Sequence, residues 1–325
     1  MALNFNKKIF LFVITAVFLT SCSKLNSENK KSLWQKLTSS AVSEDPTAAM
    51  SNELIREAEN KSSNLIEDSV DSLFSNSKTE VSISGYSEGK PQYEITNVKG
   101  LNFNEQNKTQ NFIQSSINSK NERQTINLGI GRRYLSDSEN YLFGINSFFD
   151  IEPEYNHQRA SLGLDVKSSS LEFTANNYFG ITGWKSGKNN NQERALGGYD
   201  MELGTKIPYI PSATFYYKKF KWDLFDATNI EGNTLSLKYA QPSNRGFSLE
   251  AGKKSFDGAR SDEDFLTLTY SIFFGGDKEI EINDNEFISD QMFENKSMRK
   301  HMLNKVRRHN SIVVQTKFSS SVGGV

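Results

Sequence analysis

The stretch Asn127–Asp150, NLGIGRRYLSDSENYLFGINSFFD, decides the fold. It reads as two strands joined by a short polar turn. In the first strand Ile126, Leu128 and Ile130 alternate with Asn127, Gly129 and Gly131. In the second, Phe143, Ile145 and Phe149 alternate with Gly144, Asn146 and Asp150. One face is apolar and the other is small, polar or charged. The same alternation recurs hairpin after hairpin, with no complementary helices between. That pattern predicts an all-β membrane protein, a closed antiparallel barrel facing lipid outside and water or a plug inside.

Working outward, the strand series runs from Thr79 to Phe274: Glu80–Tyr86, Gln92–Phe103, Asn111–Asn118, Arg123–Tyr134, Tyr141–Ile151, Arg159–Val166, Leu171–Thr182, Leu196–Ile207, Ala213–Lys221, Thr234–Ala240, Phe247–Lys254 and Phe265–Phe274. That makes about twelve strands, mostly close to the length a tilted membrane strand needs. Connections alternate in character. Ser136–Asn140, Ser168–Ser170 and Gln241–Gly246 are short, whereas Ile151–Gln158, Trp184–Arg194 and Trp222–Gly232 are longer. Short turns belong to the periplasmic end and long loops to the outer one. Odd strands then run outward, and both ends of the barrel lie in the periplasm.

Before the strands, Lys7 and Lys8 followed by the apolar run Ile9–Leu19 mark residues 1–21 as a secretory leader, too short to span a bilayer as a helix. Leu19-Thr20-Ser21-Cys22 resembles a lipobox, which implies cleavage before Cys22 and its acylation. The simpler alternative is an ordinary leader with an incidental cysteine. Residues 22–78 make a periplasmic tether, with a marginal helix over Met50–Ser75. A negative mean hydropathy does not argue for a soluble protein, since a membrane barrel greases only alternate side chains. The 23 Phe and 12 Tyr fit aromatic girdles at the membrane interfaces, and Trp184 and Trp222 fit the upper one. With 38 Lys+Arg against 39 Asp+Glu, nothing points to nucleic acid.

After the barrel (79–275), residues 276–317 read as a linker. Within it Glu286–His309 is expected to be helical and basic in its later half, through Arg299, Lys300, Lys305, Arg307 and Arg308. At about 1.5 Å per residue it reaches roughly 35 Å, enough to cross a membrane barrel. It suits a lumen lined by inward-facing Asp150, Asp165, Glu172, Asp200 and Glu202, with Gly129, Gly131, Gly144 and Gly163 leaving it room. A solvated periplasmic helix is the alternative. His157, near Asp150, Glu152 and Glu154, has no nucleophile beside it. His301 and His309 lack companions at ligand spacing. No enzyme, metal or cofactor is expected.

These residues resemble the intimin and invasin family, the inverse autotransporters. The resemblance covers about Thr79 to Lys317. Asn127, Gly129, Gly131 and Arg133 match one family strand, and Gly144, Asn146, Phe148 and Asp150 another. Asn176, Tyr178, Gly183 and Trp184 come next, then Glu193, Arg194, Gly198, Tyr199 and Asp200, with Pro208 and Pro211 at the next turn. Val306, Arg308, Asn310, Ile312, Val313 and Lys317 fall in step with the end of the family's linker, though His309 and Thr316 depart from it. The resemblance implies a twelve-stranded outer-membrane barrel that holds this linker, Arg299 and Lys305 included, in its pore and leads it to an adhesive passenger. The tail 318–325 is too short for one, so the expectation is a translocator-type barrel with almost no passenger of its own. Expected partners are the outer-membrane bilayer, the barrel-assembly machinery, and a separately encoded passenger or host surface. The alternative is a small porin gated by its carboxy-terminal helix.

Overall fold

A computed structural model of the chain describes residues 76–84, 92–101, 108–240, 246–258, 260–274 and 287–317. The leader, Cys22, the Met50–Ser75 helix and the tail 318–325 lie outside these residues. Contacts group 77–273 with 277–325 as one unit. The other, 1–76 with 274–276, falls almost wholly outside the described residues.

Twelve strands close into an antiparallel barrel. In chain order they are β1 (Ser77–Ser84), β2 (Gln92–Gly100), β3 (Thr109–Lys120), β4 (Arg123–Leu135), β5 (Tyr141–Glu152), β6 (His157–Ser168), β7 (Leu171–Gly180), β10 (Gly197–Ile207), β11 (Ile210–Asp223), β12 (Ile230–Ala240), β13 (Phe247–Phe256) and β14 (Glu263–Phe274). Between β7 and β10 lie two short strands outside the barrel, β8 (Lys185–Ser186) and β9 (Gln192–Ala195). β14 neighbours β1, and Ser82 and Thr269 share a 2.9 Å hydroxyl hydrogen bond across that seam. Closure removes the free edges that lipid could not satisfy.

Side-chain parity follows the sequence. Leu128, Ile130, Phe143, Ile145 and Phe149 are exposed on the outer wall. Asn127, Arg133, Asn146, Asp150, Asp165, Asp200 and Glu202 are buried in the lumen. The aromatics divide between the two faces. Phe112, Phe148, Tyr178, Tyr216, Phe220 and Trp222 are buried inside rather than set in a girdle.

The two ends differ less cleanly than expected. Pro208 and Tyr209 make a tight turn between β10 and β11, as the short-turn end requires. At the long-loop end, however, β3 and β4 join through only Asn121 and Glu122. Both have positive φ, 52° and 64°, the geometry of a two-residue hairpin turn whose twist matches its strands. The expected loop Trp184–Arg194 is partly ordered as sheet, because β8 and β9 pair there.

The expected helix Glu286–His309 does not form. Among the described residues there is no α-helix. Residues 287–297 are irregular, Met298–His301 makes a single 3₁₀ turn, and the chain then runs extended through the lumen. It ends in β15 (Val314–Lys317), which pairs antiparallel with β9 at the long-loop end. The inward glycines explain part of this. A methyl group on Gly129 would strike the Phe148 ring, on Gly131 the Phe112 ring, and on Gly204 the Tyr216 ring. The space they leave is taken by rings lying over the wall. The room those glycines were expected to leave for a helix is therefore already occupied.

Candidate functional site: the pore and the segment threaded through it

An extended chain inside a barrel faces a backbone problem. Its amides and carbonyls have neither helix nor sheet partners, and burying them unpaired is costly. Side chains of the wall supply the partners. Arg133 donates through Nη1 to the Met302 carbonyl at 2.8 Å, and also to that of Asn304. Val306 N–H donates to Gln114 Oε1 at 2.8 Å, and Asn176 donates to the Arg307 carbonyl at 3.0 Å. His309 is held on both sides: its N–H donates to Tyr178 Oη at 2.8 Å, and its carbonyl accepts from Arg159 at 2.6 Å. Asn127 donates to the Asn310 carbonyl at 2.9 Å, and Ile312 N–H reaches Thr125 Oγ1 at 3.5 Å.

The segment's cations meet wall carboxylates in order. Lys305 bridges Glu80 (3.3 Å) and Glu94 (3.1 Å). Arg307 pairs with Glu202 and, at 3.1 Å, with Glu250, while its guanidinium stacks 3.9 Å from the Tyr216 ring centre. Arg308 donates two hydrogen bonds to Asp150, at 2.9 and 2.7 Å. Asp150 also accepts from Arg159 at 2.8 Å and Asn127 at 2.7 Å, so this fully buried carboxylate is saturated. Apolar contacts trace the same path. Met298 and Met302 pack with Leu135 and Leu142, Val306 with Val98, Phe112 and Phe148, and Val313 against the cluster that holds Tyr178, Leu196 and Trp222.

Both ends of the passage carry a latch. At the short-turn end Met298 N–H donates to the Glu139 carbonyl at 2.8 Å, and Arg299 pairs with the Glu139 side chain. Hydrogen bonds from Arg299 and Ser297 hold that carboxyl below the usual carboxylate range. At the long-loop end, Lys317 Nζ lies 4.3 Å from the Trp184 ring and Arg194 lies 4.9 Å from that of Phe225. The Gln315 amide both donates to and accepts from the Phe225 backbone, at 3.0 and 2.8 Å. Beneath the sheet Arg123 joins Glu152 (2.7 Å) to Glu193 (2.6 Å), and a His157 ring nitrogen lies 3.2 Å from Glu193. Burial works to raise the Glu193 carboxyl, but hydrogen bonds and charge from Arg123 outweigh it and hold it low.

Of the residues singled out in the sequence, Asn127, Arg133, Asp150, Asn176 and Tyr178 touch the threaded segment directly. Asp200 orients two of them, accepting from Asn176 and Tyr178 at 2.7 Å each. Gly144 leaves room for the Asp165 carboxylate, which pairs with Arg133 at 3.3 Å, and Asn146 lies over Gly163. Arg299, Lys305, Arg308, Asn310, Ile312 and Val313 all lie on the segment. Tyr199 does not join them, because its parity turns it away from Asp200 to the outer face. Trp184 sits in the mouth latch, and Trp222 is buried against Tyr178 and His309, with ring centres 5.2 and 5.1 Å away. Trp222 therefore faces the lumen and not an interface belt. His157 is fully buried. Sequence reading missed Arg159, Arg123, Gln114, Glu94 and Glu250, whose inward parity was legible but whose partners, up to 216 residues away, were not.

Space remains beside the segment. A cavity of about 410 Å³ lies toward the mouth between Lys120, Lys254, Phe265 and His309. Another of about 270 Å³ adjoins Lys218, Lys238, Glu250 and Arg307. No group of three or more His, Cys, Asp or Glu side chains among the described residues is placed to hold a metal ion.

Comparison with known proteins agrees with the barrel architecture. The family model for the inverse autotransporter β-domain covers residues 28–310. Invasin of Yersinia enterocolitica is 26% identical over 133 residues, 39% of this chain and 16% of that protein. The inverse autotransporter adhesin YeeJ of Escherichia coli (strain K12) is 29% identical over 168 residues, 47% of this chain and 7% of that one. The chain thus spans a small part of the length of the curated relatives it matches. A solved structure from work on the in-meso crystallization of membrane proteins superposes with a TM-score of 0.63 at 18% identity. It covers 74% of this chain and 99% of the other.

Proposed function

Because the chain belongs to the inverse autotransporter family, we propose that its outer-membrane barrel holds its own carboxy-terminal segment stretched through the pore and presents the chain beyond Lys317 at the cell surface. The supporting observation is the series of wall-to-backbone hydrogen bonds spaced from Met302 to Ile312, with β15 following at the long-loop end. A wall that grips backbone as well as side chains fixes a chain in transit at one register. In this reading the long loops face outward, residues 22–78 lie in the periplasm with Cys22 acylated, and the barrel-assembly machinery inserts the strands. The relatives named invasin and adhesin suggest that the displayed part serves attachment, supplied by this chain or by a separately encoded one. An epitope placed after Lys317 should be labelled on intact cells; labelling only after the outer membrane is broken would reject this reading.

A second reading, a small channel, is favoured by the two cavities beside the segment. Planar-bilayer recordings separate the two. A plugged translocator stays closed until residues 302–313 are removed, whereas a channel conducts intact.

A further inference from the structure

Phe287–Phe293, FISDQMF, comes just before the threaded segment in the chain. Its Phe287 ring packs edge-on against Tyr239, with centres 6.3 Å apart. Tyr239 shares strand parity with the exposed Leu235 and Leu237, so it stands on the outer wall. Two reciprocal backbone hydrogen bonds pin the segment beneath the barrel at the β10–β11 turn. Ser289 N–H donates to the Tyr209 carbonyl at 2.9 Å, and Tyr209 N–H to that of Met292 at 3.0 Å.

So placed, the segment turns its large side chains outward. Phe287, Ile288, Met292 and Phe293 are 57%, 63%, 53% and 41% exposed, next to a half-exposed Tyr209. An apolar patch of this kind facing water would be an association hazard. This one is continuous with the lipid-facing band of β11 and β12, through Phe215, Tyr217, Leu235 and Leu237. Asp290 and Gln291 interrupt it at the middle, leaving polar groups for the water side. Aromatic and apolar side chains at the rim of a membrane barrel, with polar ones between, suit the headgroup–acyl boundary.

We propose that Phe287–Phe293 is an interfacial lipid anchor. It lies in the leaflet at the short-turn end, with the glycerol and upper acyl region of the bilayer as its partner. Anchoring here fixes the trailing end of the threaded segment from outside the barrel, a few residues before the Glu139 latch takes hold. It rests on the barrel being in a membrane, not on what the pore displays.

The test uses the full chain refolded into lipid bilayers, with Cys22→Ser so that a nitroxide label goes only to an introduced thiol. Labels at Ile288→Cys and Met292→Cys are compared with a lipid-facing control, Leu237→Cys, and an exposed turn control, Ser138→Cys. Matching circular dichroism certifies each barrel. The ratio of oxygen to nickel-chelate collisions at Ile288 and Met292 should approach that at Leu237, about threefold or more above Ser138. A ratio equal to that at Ser138 would overturn the anchor. Spin–spin broadening, showing a second copy seated on the patch, would overturn it equally.

Discussion

Two arginines of the same segment, Arg299 and Arg308, each pair with a carboxylate of the wall, and the surroundings make them different interactions. Arg299 meets Glu139 at the rim, where both side chains keep about a third of their surface in water. Arg308 meets Asp150 deep in the lumen, where both are fully covered and Arg159 and Asn127 share the same carboxylate. An exposed pair trades hydration for contact and gains little. A buried one is held by what its loss would leave behind, a charge in a dry site. The rim pair is therefore a locator and the lumen pair a lock.

Removing Asp150 is the most severe way to break that contrast. Asp150→Ala strands Arg159 and Arg308, and should cost about 3–5 kcal/mol in urea unfolding from detergent or bilayer. A thiol at Asn310→Cys should also become reactive toward water-soluble reagents. A loss no larger than that of Glu139→Ala would erase the distinction. Next in size is Gly129→Ala, which leaves every charge in place but drives a methyl group into the Phe148 ring beneath Arg308. Overpacking of this kind should cost about 1–3 kcal/mol, and an unchanged midpoint would show that the ring has somewhere else to go.

The smallest effect belongs to the rim. Glu139→Gln should shift stability by less than about 1 kcal/mol, and its signature is pH. Because the folded carboxyl titrates below its ordinary value, its contribution is complete above the unfolded pKa and fades as pH falls through the folded one. Parent and variant should therefore converge under acid, below about pH 4. A difference that grows there instead would mean that Glu139 acts by some means other than its charge.

Much of the wall is legible in the residues themselves. The period-two pattern of Asn127–Asp150 puts Asn127, Asp150 and the glycines on one face. Extended down the chain, it places Asp165, Asp200 and Glu202 inside. The carboxy-terminal segment reads as a helix because its apolar spacing and good helix formers are all that a local window contains. Local propensity is a weak prior that surroundings override. The interior aromatics mislead for a related reason: the residue type of Phe148 and Trp222 does not tell a lumen ring from an interface one. Only strand parity does, and Trp222 lies at a strand end, where the expected loop hides it.

The sequence by itself determined the wall, since alternation is a property of consecutive residues and each strand carries its own record of which side meets lipid. The tertiary structure alone decided the conformation of what the wall encloses. Rings fill the space over Gly129, Gly131 and Gly204. Arg133, Gln114, Asn176, Tyr178, Arg159 and Asn127, drawn from several different strands, together replace the hydrogen bonds a helix would have made for itself. Such a set of donors and acceptors exists only once the cylinder has closed, so no window of neighbouring residues contains it.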